Sequence, residues 1–159
     1  MRITSTTFTI CHRGFSLLEV VVVIGIVSMM TVSAISVMTP YRSQKIVDAN
    51  VESVLSVFAQ AHFDTISARS DSVWGVHIAH DQVTSFRGST YATSSVGNVV
   101  IPISPLLEIN QILLEGGGVD VHFNALTGST AEFGSFVIQS KGNALSRTIT
   151  INQTGAISL

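Results

Sequence analysis

The spacing of hydrophobic residues changes twice along this chain. From Val20 to Met38 there is no Asp, Glu, Lys, Arg or His. From about Ser43 the apolar residues instead recur at the 3.6-residue period of a helix. After residue 70, short runs of Val, Ile, Thr and Phe are separated by Gly and Asn, which is typical of strands. The pattern therefore predicts three successive parts.

The first predicted part is an apolar helix over residues 15–38. At about 1.5 Å per residue, a helix of this length covers the hydrocarbon core of a bilayer, so we expect a transmembrane helix. Its one carboxylate is Glu19. A carboxylate at mid-bilayer is disfavoured by roughly 2.5–3.5 kcal/mol, and somewhat less near a helix end. Glu19 is therefore expected to have a partner or a task.

The second predicted part is an amphipathic helix over residues 39–69 that continues the first. Pro40 has no amide hydrogen to donate, so it is expected to kink or interrupt the helix. An apolar stripe must pack against another layer, and the segment that follows is expected to supply a sheet. The stripe consists of Val47, Val51, Val54, Leu55 and Phe58.

The third predicted part is a β-rich globular domain over residues 70–159. Strands are predicted near residues 73–79, 83–88, 97–103, 110–114, 119–124, 133–139, 147–152 and 156–159. Turns are predicted at 81–82, 116–118, 126–128 and 154–155. Residues that alternate along a strand share a face, and the expected apolar sets are Trp74, Val76 and Ile78; Val119, Val121 and Phe123; and Ile149 and Ile151. The predicted fold class is α+β, a long N-terminal helix packed on an antiparallel β-sandwich-like domain.

Three simpler explanations compete for the apolar segment. A cleaved signal peptide has an apolar region of about 7–15 residues, which is shorter than this one. A plain single-pass anchor fits the length but leaves Glu19 and the Gly14-Phe15 junction unexplained. A lipoprotein site at Cys11 is disfavoured because the bulky Ile10 stands directly before the cysteine.

The residues around the junction resemble those of the type IV prepilin and pseudopilin class. The resemblance rests on Arg13-Gly14-Phe15, on the run from Ser16 to Glu19, and on the unbroken apolar stretch after it. It implies a leader peptide over residues 1–14, cleavage after Gly14 by a prepilin peptidase, and N-methylation of Phe15. It also implies that Glu19 pairs with the Phe15 amine of a neighbouring subunit, which would set the register between helices.

The resemblance also has implications for location and partners. It implies a single pass through the bacterial cytoplasmic (inner) membrane, with the C-terminal domain outside the cytoplasm, and later incorporation into a pilus or pseudopilus. Implied partners are other pilins or pseudopilins, the prepilin peptidase, the inner-membrane assembly platform and secreted substrates.

Beyond the helix, the chain looks most like the H-type minor pseudopilin family (GspH/FimT). The similarity lies in Trp74–Ile78, in 86–91, in 121–128 and in a closing 147–155. It implies a structural minor subunit of a type II secretion pseudopilus. The alternative is a minor pilin of a type IV pilus, with a role in DNA uptake or adhesion. Members of the class often have a proline within the apolar helix, whereas the first proline here is Pro40.

The net charge and the lack of catalytic motifs in the sequence disfavour a nucleic-acid-binding protein and an enzyme. The chain has 8 Lys and Arg residues and 10 Asp and Glu residues. Because Arg2 and Arg13 lie in the predicted leader, the mature part is acidic. An acidic surface repels nucleic acid, so a nucleic-acid partner is not expected. Cys11 is the only cysteine. His77 and His80 lie three residues apart, and such residues point to opposite faces of a strand, which disfavours a metal site. No catalytic motif or cofactor is predicted, so we do not expect an enzyme.

Overall fold

The computed structural model describes residues 14–68, 72–142 and 144–159, without the side chains of residues 33–40. The predicted leader therefore lies outside the described residues, except for Gly14. Residue contacts divide the chain into two compact units, Met1–Thr39 and Pro40–Leu159.

One helix, α1, accounts for both predicted helical parts. It spans Leu17–Ile66 and is 50 residues long. Since α1 continues through position 40, Pro40 does not interrupt it. The helix ends a few residues before the predicted boundary at residue 69, in a turn where Ser67 N–H donates to Phe63 O and Ala68 has a positive φ of 50°.

Among the described residues after α1, eight strands form two antiparallel sheets. The first sheet has the order β3-β2-β1-β5 and the second has the order β4-β6-β7-β8. Every predicted strand has a counterpart, with ends displaced by a few residues. The strands are β1 Trp74–Ile78, β2 Gln82–Arg87, β3 Val99–Pro102, β4 Leu107–Leu114, β5 Asp120–His122, β6 Gly134–Ser140, β7 Ser146–Ile151 and β8 Ile157–Ser158.

The core of the second unit lies between α1 and both sheets. Of the predicted stripe, Val47, Val51, Val54 and Phe58 are buried, whereas Leu55 is only partly buried. Val57 and Ala61 are buried as well, which widens the stripe. The ring of Phe58 stacks on Phe136 of β6, with 5.9 Å between ring centroids. Buried residues from both sheets belong to the same cluster, so the predicted α+β packing of a helix on an antiparallel sheet domain is confirmed.

The predicted strand faces are mostly confirmed. Val76, Ile78, Ile149 and Ile151 are buried, and Trp74 packs against the core as a partly buried residue. Val121 and Phe123 are also buried. Val119 is the exception, with 39% of its surface exposed, because it lies in the turn before β5 rather than in a strand.

The predicted turns at glycine are confirmed. One of them, at Gly155, lies against both α1 and the loop after β5. Gly155 has a φ of 78°, a conformation that favours glycine. A Cβ atom at this position would overlap the carbonyl oxygen of Gly128, in the loop after β5, and would crowd the His62 ring of α1. The small size of Gly155 thus allows α1 and two loops to meet.

The prediction of a membrane-spanning segment over residues 15–38 is not confirmed. Among the residues that the structure describes, no helix has both the length and the hydropathy that crossing a membrane requires. The side chains of residues 33–38, the last part of the predicted span, lie outside the described residues.

Candidate functional site

The candidate site lies where α1 begins. Residues 14–16 have no regular secondary structure, and the helix starts at Leu17. The carbonyl oxygen of Ser16 accepts hydrogen bonds from the N–H groups of Glu19, at 3.0 Å, and Val20, at 3.3 Å. Ser16 is therefore the N-cap residue of α1. The Ser-x-x-Glu spacing of Ser16 and Glu19 matches the helix-start signal of a capping box, although the Glu19 side chain makes no bond back to Ser16 N–H in the described residues.

Glu19 is an exposed carboxylate on the first turn of α1. Its position near the positive end of the helix dipole is favourable by about 0.3–1 kcal/mol. Within the described part of the chain, Glu19 has no hydrogen bond or ion pair through its side chain. The carboxylate is therefore available to a group outside this chain.

Phe15 and Glu19 lie on the same side of the helix start. Together with Val20, Val23 and Ile24 they line a surface depression of about 280 Å³. Phe15 is 78% exposed. The structure thus brings together two of the three predicted site residues, although in the unprocessed chain Phe15 contributes a peptide nitrogen and not a free amine.

Gly14, the third predicted site residue, lies immediately before this depression. A Cβ atom built at Gly14 would have no heavy atom within 4 Å. Packing among the described residues therefore does not require a glycine here. A requirement for a small residue at this position would have to come from a partner that binds the segment.

The surface of α1 after Glu19 is apolar on every side. The large side chains from Val20 to Val32 are exposed throughout. The two hydroxyl groups in this stretch are satisfied by the helix itself, because Ser28 Oγ donates to Ile24 O and Thr31 Oγ1 donates to Val27 O. A helix that is hydrophobic all round is normally buried in a larger assembly or a membrane.

His77 and His80, the histidines considered as metal ligands, each contact a different group. His77 Nδ1 lies 2.5 Å from Asp120 Oδ1. His80 Nδ1 instead contacts the carbonyl oxygen of Ile109, at 2.8 Å. Within the described ranges, no group of three potential metal ligands comes together.

One comparison with known proteins identifies the N-terminal segment. Residues 11–35 match the family model described as the prokaryotic N-terminal methylation motif. No curated protein and no solved structure matches the chain. The matched segment contains Gly14, Phe15 and Glu19, and it indicates a type IV pilin-like substrate of prepilin peptidase that assembles with other pilins. The resemblance to the prepilin class is confirmed at this level, and the narrower H-type resemblance is not.

Proposed function

We propose that this chain is a minor pseudopilin of a type II secretion system. Prepilin peptidase removes residues 1–14 and methylates Phe15, and the mature subunit enters a pseudopilus through its N-terminal helix. In this proposal residues 15–38 form the assembly helix, residues 39–69 continue it as an amphipathic helix, and residues 70–159 form the exposed β-domain. Before assembly the subunit resides at the cytoplasmic membrane with the β-domain outside the cytoplasm.

The observation that carries the proposal is the carboxylate of Glu19, which lies next to Phe15 at the start of a helix with an apolar surface and has no partner among the described residues. When such helices pack together, every charge on them is removed from water. A buried charge that lacks a partner is far more costly than a paired one. Cleavage after Gly14 creates an amine at Phe15, and this cation is the natural partner for a Glu19 carboxylate on an adjacent subunit.

The assignment to a minor subunit rests on the β-domain. Its two four-stranded sheets against one helix agree with the architecture implied by the H-type resemblance. A compact domain on the end of an assembly helix is suited to contact other minor subunits or secreted cargo at or near the tip of the pseudopilus.

The rival function, a DNA-uptake pilin, requires basic side chains clustered on one face. The basic residues of the β-domain are instead engaged with their own chain. Arg147 pairs with Asp48 at 3.1 Å, and Lys141 Nζ donates to Pro105 O. Arg87 Nε donates to the hydroxyl of Ser72. These contacts and the acidic balance of the chain disfavour a DNA-uptake role, whereas a type IV pilin with an adhesion role remains the alternative.

The Gly14→Val variant tests both the processing and the secretion role. We expect it to remain full-length, because a branched side chain at the scissile junction obstructs the peptidase. In a secretion-competent strain that lacks the native gene, this variant should fail to restore secretion, whereas the wild-type chain should restore it. The control is Gly142→Val, since Gly142 is also uncrowded but lies in the β-domain, away from both the junction and the assembly helix. Normal secretion together with loss of pili in the deletion strain would contradict the secretion role and favour the type IV pilus.

A further inference from the structure

In the two sheets of the described residues, three of the four edges are closed or very short. On β4, Ile109 N–H donates to His80 O at 2.9 Å and Ile109 O accepts from His80 Nδ1. On β5, His122 N–H donates to a carboxylate oxygen of Glu132. The edge strand β8 contains only Ile157 and Ser158. Such closures are how proteins protect sheet edges from pairing with other chains.

The fourth edge, β3, remains open at Val100. The hairpin between β1 and β2 closes with Ala79 N–H donating to Gln82 O. Hydrogen-bonded and non-hydrogen-bonded pairs alternate along antiparallel strands, so every second residue of β2 directs its backbone groups toward β3. These residues are Val83 and Ser85, which face Ile101 and Val99.

Val100 therefore points its N–H and C=O away from β2. Pro102 has the same orientation and offers only a carbonyl oxygen. In the part of the chain that the structure describes, neither residue donates or accepts a backbone hydrogen bond on this outer side. The outer edge thus presents one donor and two acceptors.

A cavity of about 590 Å³ lies on one face of this edge. It is bounded by α1 on one side and by β1, β2 and β3 on the other. Val57, Trp74, Val96, Val99 and Ile101 provide its apolar lining. Val96 is fully exposed and Val99 is 53% exposed, so the cavity opens to solvent beside β3.

The residues of β3 alternate between the cavity and the open edge. Val99 and Ile101 direct their side chains into the cavity, and Val100 between them offers its backbone groups outward. A strand added beside β3 would bond to Val100 and would project every second side chain over the cavity mouth. This combination of backbone pairing with a pocket for alternate side chains is the arrangement by which sheet edges bind extended peptides.

We propose that the β3 edge binds an extended segment of a neighbouring pilin-like subunit, with aliphatic side chains at alternate positions. The inference rests on the proposed function. With so few backbone groups available, the edge is too small to hold a freely diffusing partner tightly. A subunit that is already held in the filament by its helix is present at high effective concentration, so a small contact is sufficient.

The Val100→Pro variant tests this contact. Proline is tolerated where the N–H faces away from the sheet, so pairing of β3 with β2 is preserved while the outward donor is lost. We expect incorporation into filaments to fall by up to about tenfold, as for the loss of one hydrogen bond. The matched control, Val100→Ala, keeps the donor and should assemble normally. Thermal unfolding of both detergent-solubilised full-length variants checks that they are folded.

Hydrogen exchange of the wild-type chain provides a second test that needs no variant. The amide of Val100 should exchange rapidly in the detergent-solubilised subunit and slowly in isolated filaments. Equal exchange in the two states, or normal incorporation of Val100→Pro, would overturn the proposal. Normal incorporation with lost secretion would also overturn it and would assign the edge to cargo. The proposed function is tested separately, by cleavage before Phe15 and by incorporation of the wild-type chain into filaments. If both occur but Val100→Pro also assembles normally, only the edge proposal fails.

Discussion

The Glu19→Val variant is expected to remain in the membrane fraction and to fail in assembly. Removing the carboxylate removes a transfer cost of up to roughly 2.5–3.5 kcal/mol, so association with the membrane should be unchanged or stronger. In the filament, however, the Phe15 amine of the adjoining subunit would lose its counter-charge. Breaking a buried ion pair costs about 3–5 kcal/mol, which corresponds to at least about a hundredfold loss of incorporation. Cross-linking to partner pilins and co-purification with them measure this loss.

Two further variants separate the charge of Glu19 from its role at the helix start. Glutamine is accepted at this position of a capping box, so Glu19→Gln keeps the helix start but removes the charge. We expect Glu19→Gln to fail in assembly as well. Glu52→Gln serves as the control, because Glu52 is another exposed glutamate of α1. If Glu19→Gln assembled like Glu52→Gln, the charge of Glu19 would not be needed for assembly, and the charge-pair mechanism would be contradicted.

The second large effect is expected in the core, for the Phe58→Ala variant. Phe58 is fully buried and stacks on Phe136. Its truncation should lower the free energy of unfolding by about 3–5 kcal/mol. A domain of this size is stable by only about 5–15 kcal/mol, so the variant should be markedly less stable or unfolded. Urea denaturation of a fragment from Ser43 to Leu159, which we expect to be soluble and monomeric, measures the difference.

The same helix offers a matched control for this variant. Phe63 is 63% exposed, so Phe63→Ala makes the same chemical change with little loss of packing. Its effect should stay within about 0.5 kcal/mol, as for most surface substitutions. Equal destabilisation by the two variants would contradict the packing of α1 against the sheets. Circular dichroism of the wild-type fragment should show both helix and strand.

The sequence was sufficient to locate α1 and the strands because burial imposes a regular period on each of them. Val47, Val51, Val54 and Phe58 recur at helical spacing since they contact one core. The ends of elements were less predictable. The strand β4 begins earlier than expected, at Leu107, and its register shifts between Asn110 and Leu113. A bulge of this kind depends on pairing with a distant strand, which no local pattern reports.

The candidate site was predictable at the level of residue identity but not of environment. The motif around Gly14, Phe15 and Glu19 is a contiguous sequence feature, whereas only the structure shows that Glu19 has no partner among the described residues. The open edge at Val100 could not be predicted from the sequence either. It depends on which residues of β2 face β3, and therefore on the register between the two strands.

The mature N-terminus tests the central claim most directly. The measurement is intact-mass and N-terminal analysis of the chain extracted from membranes of a host with an active prepilin peptidase. We predict a protein that begins at Phe15 and carries a methyl group on its amine. Recovery of the chain at full length from that host, beginning at Met1, would contradict the account.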